Sequence, residues 1–144
     1  MLKVRCQMLI RREASVVFNA FVDPKITKQF WFSKSSGPVV EGGQLTWEWE
    51  KYGAKTRVDV KEIIPSKSIK IAWGVPQRNV TFKFEALTDN ETYVVIEETD
   101  HPEKGDELIA TLLDSTGGFT TVLDGLKCYL EHGISLNLIE DKFQ

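Results

Sequence analysis

Hydrophobic and polar residues alternate from the start of the chain. Val4, Cys6, Met8 and Ile10 share one parity and Lys3, Arg5 and Gln7 the other, the period-two pattern of a half-buried strand. The period changes at Ala14. Val17, Phe18, Phe21 and Val22 recur at helical spacing, and Asp23-Pro24 ends that helix because the residue before proline avoids the α region. Pro24, which loses no hydrogen bond at a first helical position, opens a second short helix that runs to about Phe30.

Turn signals then recur at short intervals: Ser36-Gly37-Pro38, Gly42-Gly43, Tyr52-Gly53, Pro65-Ser66-Lys67, Gly74-Val75-Pro76 and Thr88-Asp89-Asn90. The runs between them alternate. Leu45, Trp47 and Trp49 oppose Thr46, Glu48 and Glu50; Val58 and Val60 oppose Arg57, Asp59 and Lys61. Ile69, Ile71 and Trp73 share a face, as do Val80, Phe82, Phe84 and Ala86, and Tyr93 to Glu98 forms the last run. Short connections between alternating strands predict antiparallel pairing with one wet and one buried face. Glu62 has the inward parity of Val58 and Val60, but a bulge near Ile63-Ile64 is expected to turn it outward.

The C-terminal third is helical. At 100° per residue, Phe119, Val122, Leu123, Leu126, Tyr129 and Leu130 form one stripe, with Asp124, Lys127 and Glu131 opposite. Asp114 or Ser115 is placed to cap this helix and Gly133 to close it in the left-handed conformation, giving a helix from about Ser115 to His132. A shorter helical piece, about Lys104 to Leu113, precedes it. Beyond it Ile134, Leu136 and Leu138 alternate, so the tail to Phe143 is expected to pack back on the fold.

The predicted class is α+β. A curved antiparallel sheet of about six to seven strands covers one long C-terminal helix, because the apolar sheet face and the apolar helix stripe must bury each other. No repeat or linker divides the chain, and 144 residues suit one core, so residues 1–144 are expected to form one domain.

Composition removes several classes of function. A 42% hydrophobic and 27% charged chain is neither disordered nor fibrous. A net charge of −3 leaves no basic excess for a nucleic-acid face. No apolar run approaches the ~20 residues of a membrane span, so no membrane insertion is expected. The N-terminus breaks its apolar residues with Lys3 and Arg5 and does not read as a secretory signal. Two cysteines, Cys6 and Cys128, are too few for a disulfide scaffold, and the expected location is cytoplasmic.

Candidate chemistry is sparse. His101 precedes Pro102 in a loop and His132 occupies a last helical turn, where a cation suits the helix dipole. Both are read as structural or surface residues, and no catalytic residue is assigned. No pair of cysteines or histidines has metal-ligand spacing, so no metal or other cofactor is expected. Gly117-Gly118 are read as a close approach of the helix to the sheet or a hinge at a cavity mouth. Glu48 with Glu50, and Glu97-Glu98 with Asp100, are read as solvated faces. The informative set is aromatic. Trp47, Trp49, Trp73, Phe82 and Phe84 share the inward parity of the sheet, and Trp31 and Phe119 come from elements that cover it.

The order of elements resembles the helix-grip fold of START-like and birch-pollen-allergen-like (SRPBCC) proteins, and three segments narrow the likeness. ASVVFNAFVDPKITKQFWF at residues 14–32 resembles a helix, aspartate-proline turn and helix ending in a tryptophan pair or its equivalent. VDVKEIIPSKSIKIAW at 58–73 resembles a strand–proline–strand hairpin ending in tryptophan, and GFTTVLDGLKCYLEHG at 118–133 the family's last helix. In register, they resemble the family named for the activator of heat-shock-protein-90 ATPase, in its stand-alone bacterial form. The resemblance implies a cavity between helix and sheet, and hence an apolar or aromatic small molecule as partner. Candidate ligand-binding residues are Trp31, Trp47, Trp49, Trp73, Phe82, Phe119, Leu123 and Leu126. Two other functions stay open: a cavity enzyme of the polyketide cyclase or hydrolase type, and a chaperone-related interaction module.

Overall fold

The computed structural model describes residues 2–144. Strand β1 (Val4–Ile10) leads into helices α1 (Ala14–Val22) and α2 (Pro24–Thr27), then β2 (Lys34–Ser35) and β3 (Gln44–Trp49). A 3-10 turn at Glu50–Tyr52 connects to β4 (Ala54–Ile64), followed by β5 (Ser68–Trp73), β6 (Arg78–Thr88) and β7 (Glu91–Thr99). Helix α3 (Gly105–His132) and the short α4 (Leu138–Lys142) complete it. All seven strands form one sheet in the order β1-β7-β6-β5-β4-β3-β2, with every pairing antiparallel. This is the expected α+β helix-grip fold.

Period two places the core. Val58, Val60, Ile69, Ile71, Val80, Phe82, Val94 and Ile96 are each at most 3% exposed and face α3, which buries Phe119, Val122, Leu123 and Leu126. The expected bulge lies between Val60 and Glu62, and it turns Glu62 outward to Lys70 at 3.8 Å. The first strand is held from its open side by the last turns of α3. Lys127 Nζ donates to the Leu9 carbonyl at 2.8 Å, the Arg11 backbone N–H to Glu131 at 2.8 Å, and Arg12 Nη1 to the Leu130 carbonyl at 2.9 Å.

Four local expectations are corrected. The two helical pieces before and after Asp114 are one helix of 28 residues. Asp114 and Ser115 do not cap it; Thr116 Oγ1 donates back to the Leu112 carbonyl at 2.7 Å and Thr121 Oγ1 to the Gly117 carbonyl at 2.9 Å, inside an unbroken ladder. Helix α2 ends at Thr27 rather than Phe30. Phe30 and Trp31 continue as turns that donate back to the Thr27 carbonyl at 3.1 and 3.0 Å. Of the two readings of Gly117-Gly118, close approach to the sheet fails, and Gly118 lies instead on the wall of a cavity; the close approach on this helix is that of Gly125 to Phe30. A Cβ there would lie 3.2 Å from Phe30 Cβ, whereas one at Gly118 would meet nothing within 4 Å. In the tail, Asn137 takes φ 56° and opens α4.

Candidate functional site

The strand ends decide where the site lies. Trp49 closes β3 and pairs with Ala54 at the start of β4, and Trp73 closes β5 opposite Val58 of the same strand. Both tryptophans therefore reach the end of the sheet where the β3–β4 turn sits, a turn closed by Gly53 at φ 61°. Trp31 is delivered between them by the turn after α2. Its ring centroid lies 6.4 Å from Trp49, 5.7 Å from Trp73 and 6.0 Å from Phe119 of α3, and Trp73 lies 5.8 Å from Phe119.

These four rings line a cavity of about 350 Å³ between α3, the sheet end and the C-terminal segment. Tyr52, Ile139, Lys142 and Phe143 form its remaining side. Tyr52 fixes that side, since its hydroxyl lies 2.6 Å from the carbonyls of both Ile139 and Glu140, and its ring packs edge-on against Phe143 at 5.9 Å. Lys51 Nζ also donates to the Glu140 carbonyl, and Lys142 Nζ to Thr121 Oγ1 at 3.1 Å. The tail does pack back, through Ile139 and Phe143. Ile134 and Leu136, half exposed, take no part.

The eight sequence candidates divide evenly. Trp31, Trp49, Trp73 and Phe119 line the cavity. Trp47 stacks on Phe32 at 5.0 Å beneath it, Phe82 packs on Phe21 at 5.1 Å, and Leu123 and Leu126 are at most 1% exposed in the core. Parity alone gives the inward face and not the position along it, which is why the two groups look alike in sequence.

A polar group was missed. Glu97 and Glu98, read as solvated, are both buried. Glu97 faces the outer surface, where hydrogen bonds from Lys3 and then Lys83 hold its carboxyl down at about 2. Glu98 shares the inward parity of Val94 and Ile96, which was the available signal. It accepts from the Trp73 indole N–H at 2.9 Å and pairs with His101 Nε2 at 2.8 Å, and both side chains are at most 2% exposed. His101 is thus enclosed rather than on the surface. No sequence signal pointed to Tyr52.

A curved seven-stranded antiparallel sheet closed on one long helix, with an aromatic cavity at its end, defines a helix-grip protein. The family model of the activator of Hsp90 ATPase homolog 1-like proteins matches residues 11–131, and the chain belongs to that family. Among solved structures it is similar to protein SSP2350 from Staphylococcus saprophyticus, at 30% identity and a TM-score of 0.82, covering 94% of this chain and 96% of that one. The Aha1 dimer of Colwellia psychrerythraea shares the fold at 19% identity and a TM-score of 0.78, covering 92% and 98%. CalU16 from Micromonospora echinospora does so at 18% and 0.73, covering 96% and 80%. No curated protein matches the sequence. Among the described residues no helix is long and apolar enough to cross a membrane.

Proposed function

We propose that this chain is a small-molecule binding protein that takes an apolar or aromatic ligand in the cavity between α3, the sheet end and α4. The ligand rests on Trp31, Trp49, Trp73 and Phe119. Residues 1–144 act as one START-like domain, in the cytoplasm, where the free cysteines Cys6 and Cys128 would stay reduced. The observation that carries the reading is the cavity itself: about 350 Å³ walled mainly by rings falls within the ~300–1,000 Å³ of small-molecule sites. Titration with a panel of apolar aromatic compounds, followed by tryptophan fluorescence, tests it. Saturable one-to-one quenching is expected; its absence across the panel would overturn the reading in favour of an interaction module.

One observation favours a second reading, a cavity enzyme of the polyketide cyclase or hydrolase type. The Glu98–His101 pair is the titratable pair such chemistry needs, close to the aromatic wall. Turnover of a bound polyketide or ester, abolished by Glu98→Gln, would replace the binding reading; an unchanged ligand after long incubation would leave the binding reading in place.

A further inference from the structure

The cavity is rich in rings and poor in charge. Trp31, Trp49, Trp73 and Phe119 wall one side of it, and Tyr52 and Phe143 stand in the other. The three indoles do not stack. Their planes meet at 58° for Trp31 and Trp49, 68° for Trp31 and Trp73, and 59° for Trp49 and Trp73, with centroids 5.7–6.4 Å apart. Planes so inclined form a corner, and a bulky group seated in it touches more than one ring. The faces of aromatic rings carry partial negative charge, so such a wall attracts a cation as well as an apolar body.

Two charged side chains line the same space, Asp114 and Lys142. The Lys142 ammonium is directed to the helix. Its Nζ donates to Thr121 Oγ1 at 3.1 Å, lies 5.8 Å from the Phe143 ring centroid, and would stand 3.8 Å from a Cβ at Gly117. Asp114, exposed on α3 four residues before Gly118, forms no ion pair among the described residues. The uncommitted charge on the cavity is therefore negative, in a chain whose net charge is −3. The rival occupant is an anion held by Lys142, whose charge a hydroxyl partner does not neutralise.

We propose that the cavity takes organic cations of the quaternary ammonium class. The cationic head lies in the corner of Trp31, Trp49 and Trp73, and Asp114 supplies the counter-charge at the rim. This rests on the ligand-binding reading and adds to it the charge of the ligand. A quaternary head suits the site because it has no N–H group to satisfy. Its methyl groups bury as apolar surface while its charge acts on the rings.

Equilibrium dialysis of the full chain against phenyltrimethylammonium and tert-butylbenzene, which differ by a charged nitrogen in place of a carbon, isolates the charge. A third compound, para-tert-butylbenzoate, supplies the opposite sign. The expected result is about tenfold tighter binding of the cation than of the hydrocarbon, with the carboxylate weakest, since desolvated cation–π contacts are worth about one such factor. Asp114→Asn should reduce the preference for the cation about threefold, the scale of one exposed charge pair. Asp114 is exposed, so this variant deletes no buried contact and reads charge rather than folding. Equal or tighter binding of tert-butylbenzene would overturn the inference while leaving ligand binding intact. Tightest binding of the carboxylate would overturn it too, by moving the anchor to Lys142. A preference unchanged in Asp114→Asn would overturn the assignment of the counter-charge. Saturable binding of none of the three compounds would remove both this inference and the binding reading.

Discussion

Gly125 of α3 faces the backbone of Phe30 so closely that a Cβ at position 125 would stand 3.3 Å from the Phe30 carbonyl oxygen and 3.2 Å from its Cβ. The turn that delivers Trp31 to the cavity is thus pressed against the helix at a point where a methyl group would force the buried Phe30 to give by a few tenths of an ångström. Gly125→Ala should therefore cost ~1–3 kcal/mol despite its better helix propensity, because overpacking forces the neighbour to shift. Gly118→Ala meets open space and should gain up to ~1 kcal/mol. Thermal melts of the two variants, moving in opposite directions, check this; a lowered melting temperature in both would refute it.

The cavity predicts an asymmetry between two phenylalanines. Phe82 is 1% exposed and packs on Phe21 and Trp31, so Phe82→Ala should cost ~3–5 kcal/mol, the range for a fully enclosed ring. Phe119 lines the cavity and has fewer atoms to lose on that side, so Phe119→Ala should cost less. Urea titrations of both variants give the comparison. Equal costs would mean that the cavity is closed in solution.

Truncation after Gly133 removes Ile139, Lys142 and Phe143 from the cavity wall and leaves the Tyr52 hydroxyl without its carbonyl partners. Burial of one aliphatic side chain is worth ~1.5–3 kcal/mol, and Ile139 is only partly covered, so a fall of several degrees in melting temperature is expected. Any compound bound by the full chain should bind more weakly to the truncated one. An unchanged melt would show that the segment adds nothing to the fold.

Acid should weaken the outer face of the sheet. Glu97, held by Lys3 and Lys83, has its pKa lowered from 4.5 to about 2. A carboxyl whose folded pKa is depressed contributes stability that is present above the unfolded value and is lost as pH falls through the folded one. The stability gap between wild type and Glu97→Gln should therefore be constant above pH 4.5 and shrink towards pH 2. Denaturation midpoints measured across that range check the sign; a gap that widened on acidification would contradict it.

Much of this architecture could be read from spacing. Period two located β1 and β3 to β7, and the Phe119–Leu126 stripe located the buried half of α3. What failed had physical reasons. Strand β2 has two residues, too few for a period to show. Asp114-Ser115 has the chemistry of a helix start, but threonine back-bonds and the continuous ladder carry the helix through it. Residue type overrode parity at Glu98. A carboxyl near the end of a strand suggests solvent, whereas its register opposite Val4 and Val80 places it inside. For the cavity, sequence identified the inward rings but not which of them stand at the open end. That depends on where β3 and β5 stop, and on a tail whose helix begins at a left-handed Asn137.

The contacts from α3 to β1 also bear on how two copies of this chain could meet. An open strand edge is a template for a strand from another molecule. At one end of this sheet Lys127, Glu131 and the Leu130 carbonyl occupy polar groups of the segment from Leu9 to Arg12. At the other end, Ser33 and Ser36 satisfy β3 through their backbone N–H groups and hydroxyls. The C-terminal end of the β1 edge, and the stretch of β3 that flanks the two-residue β2, are thus engaged by the chain's own atoms. A strand from a second copy added at either of these points would first have to displace them, so the chain guards the end of one edge and the flank of the other against strand-to-strand pairing.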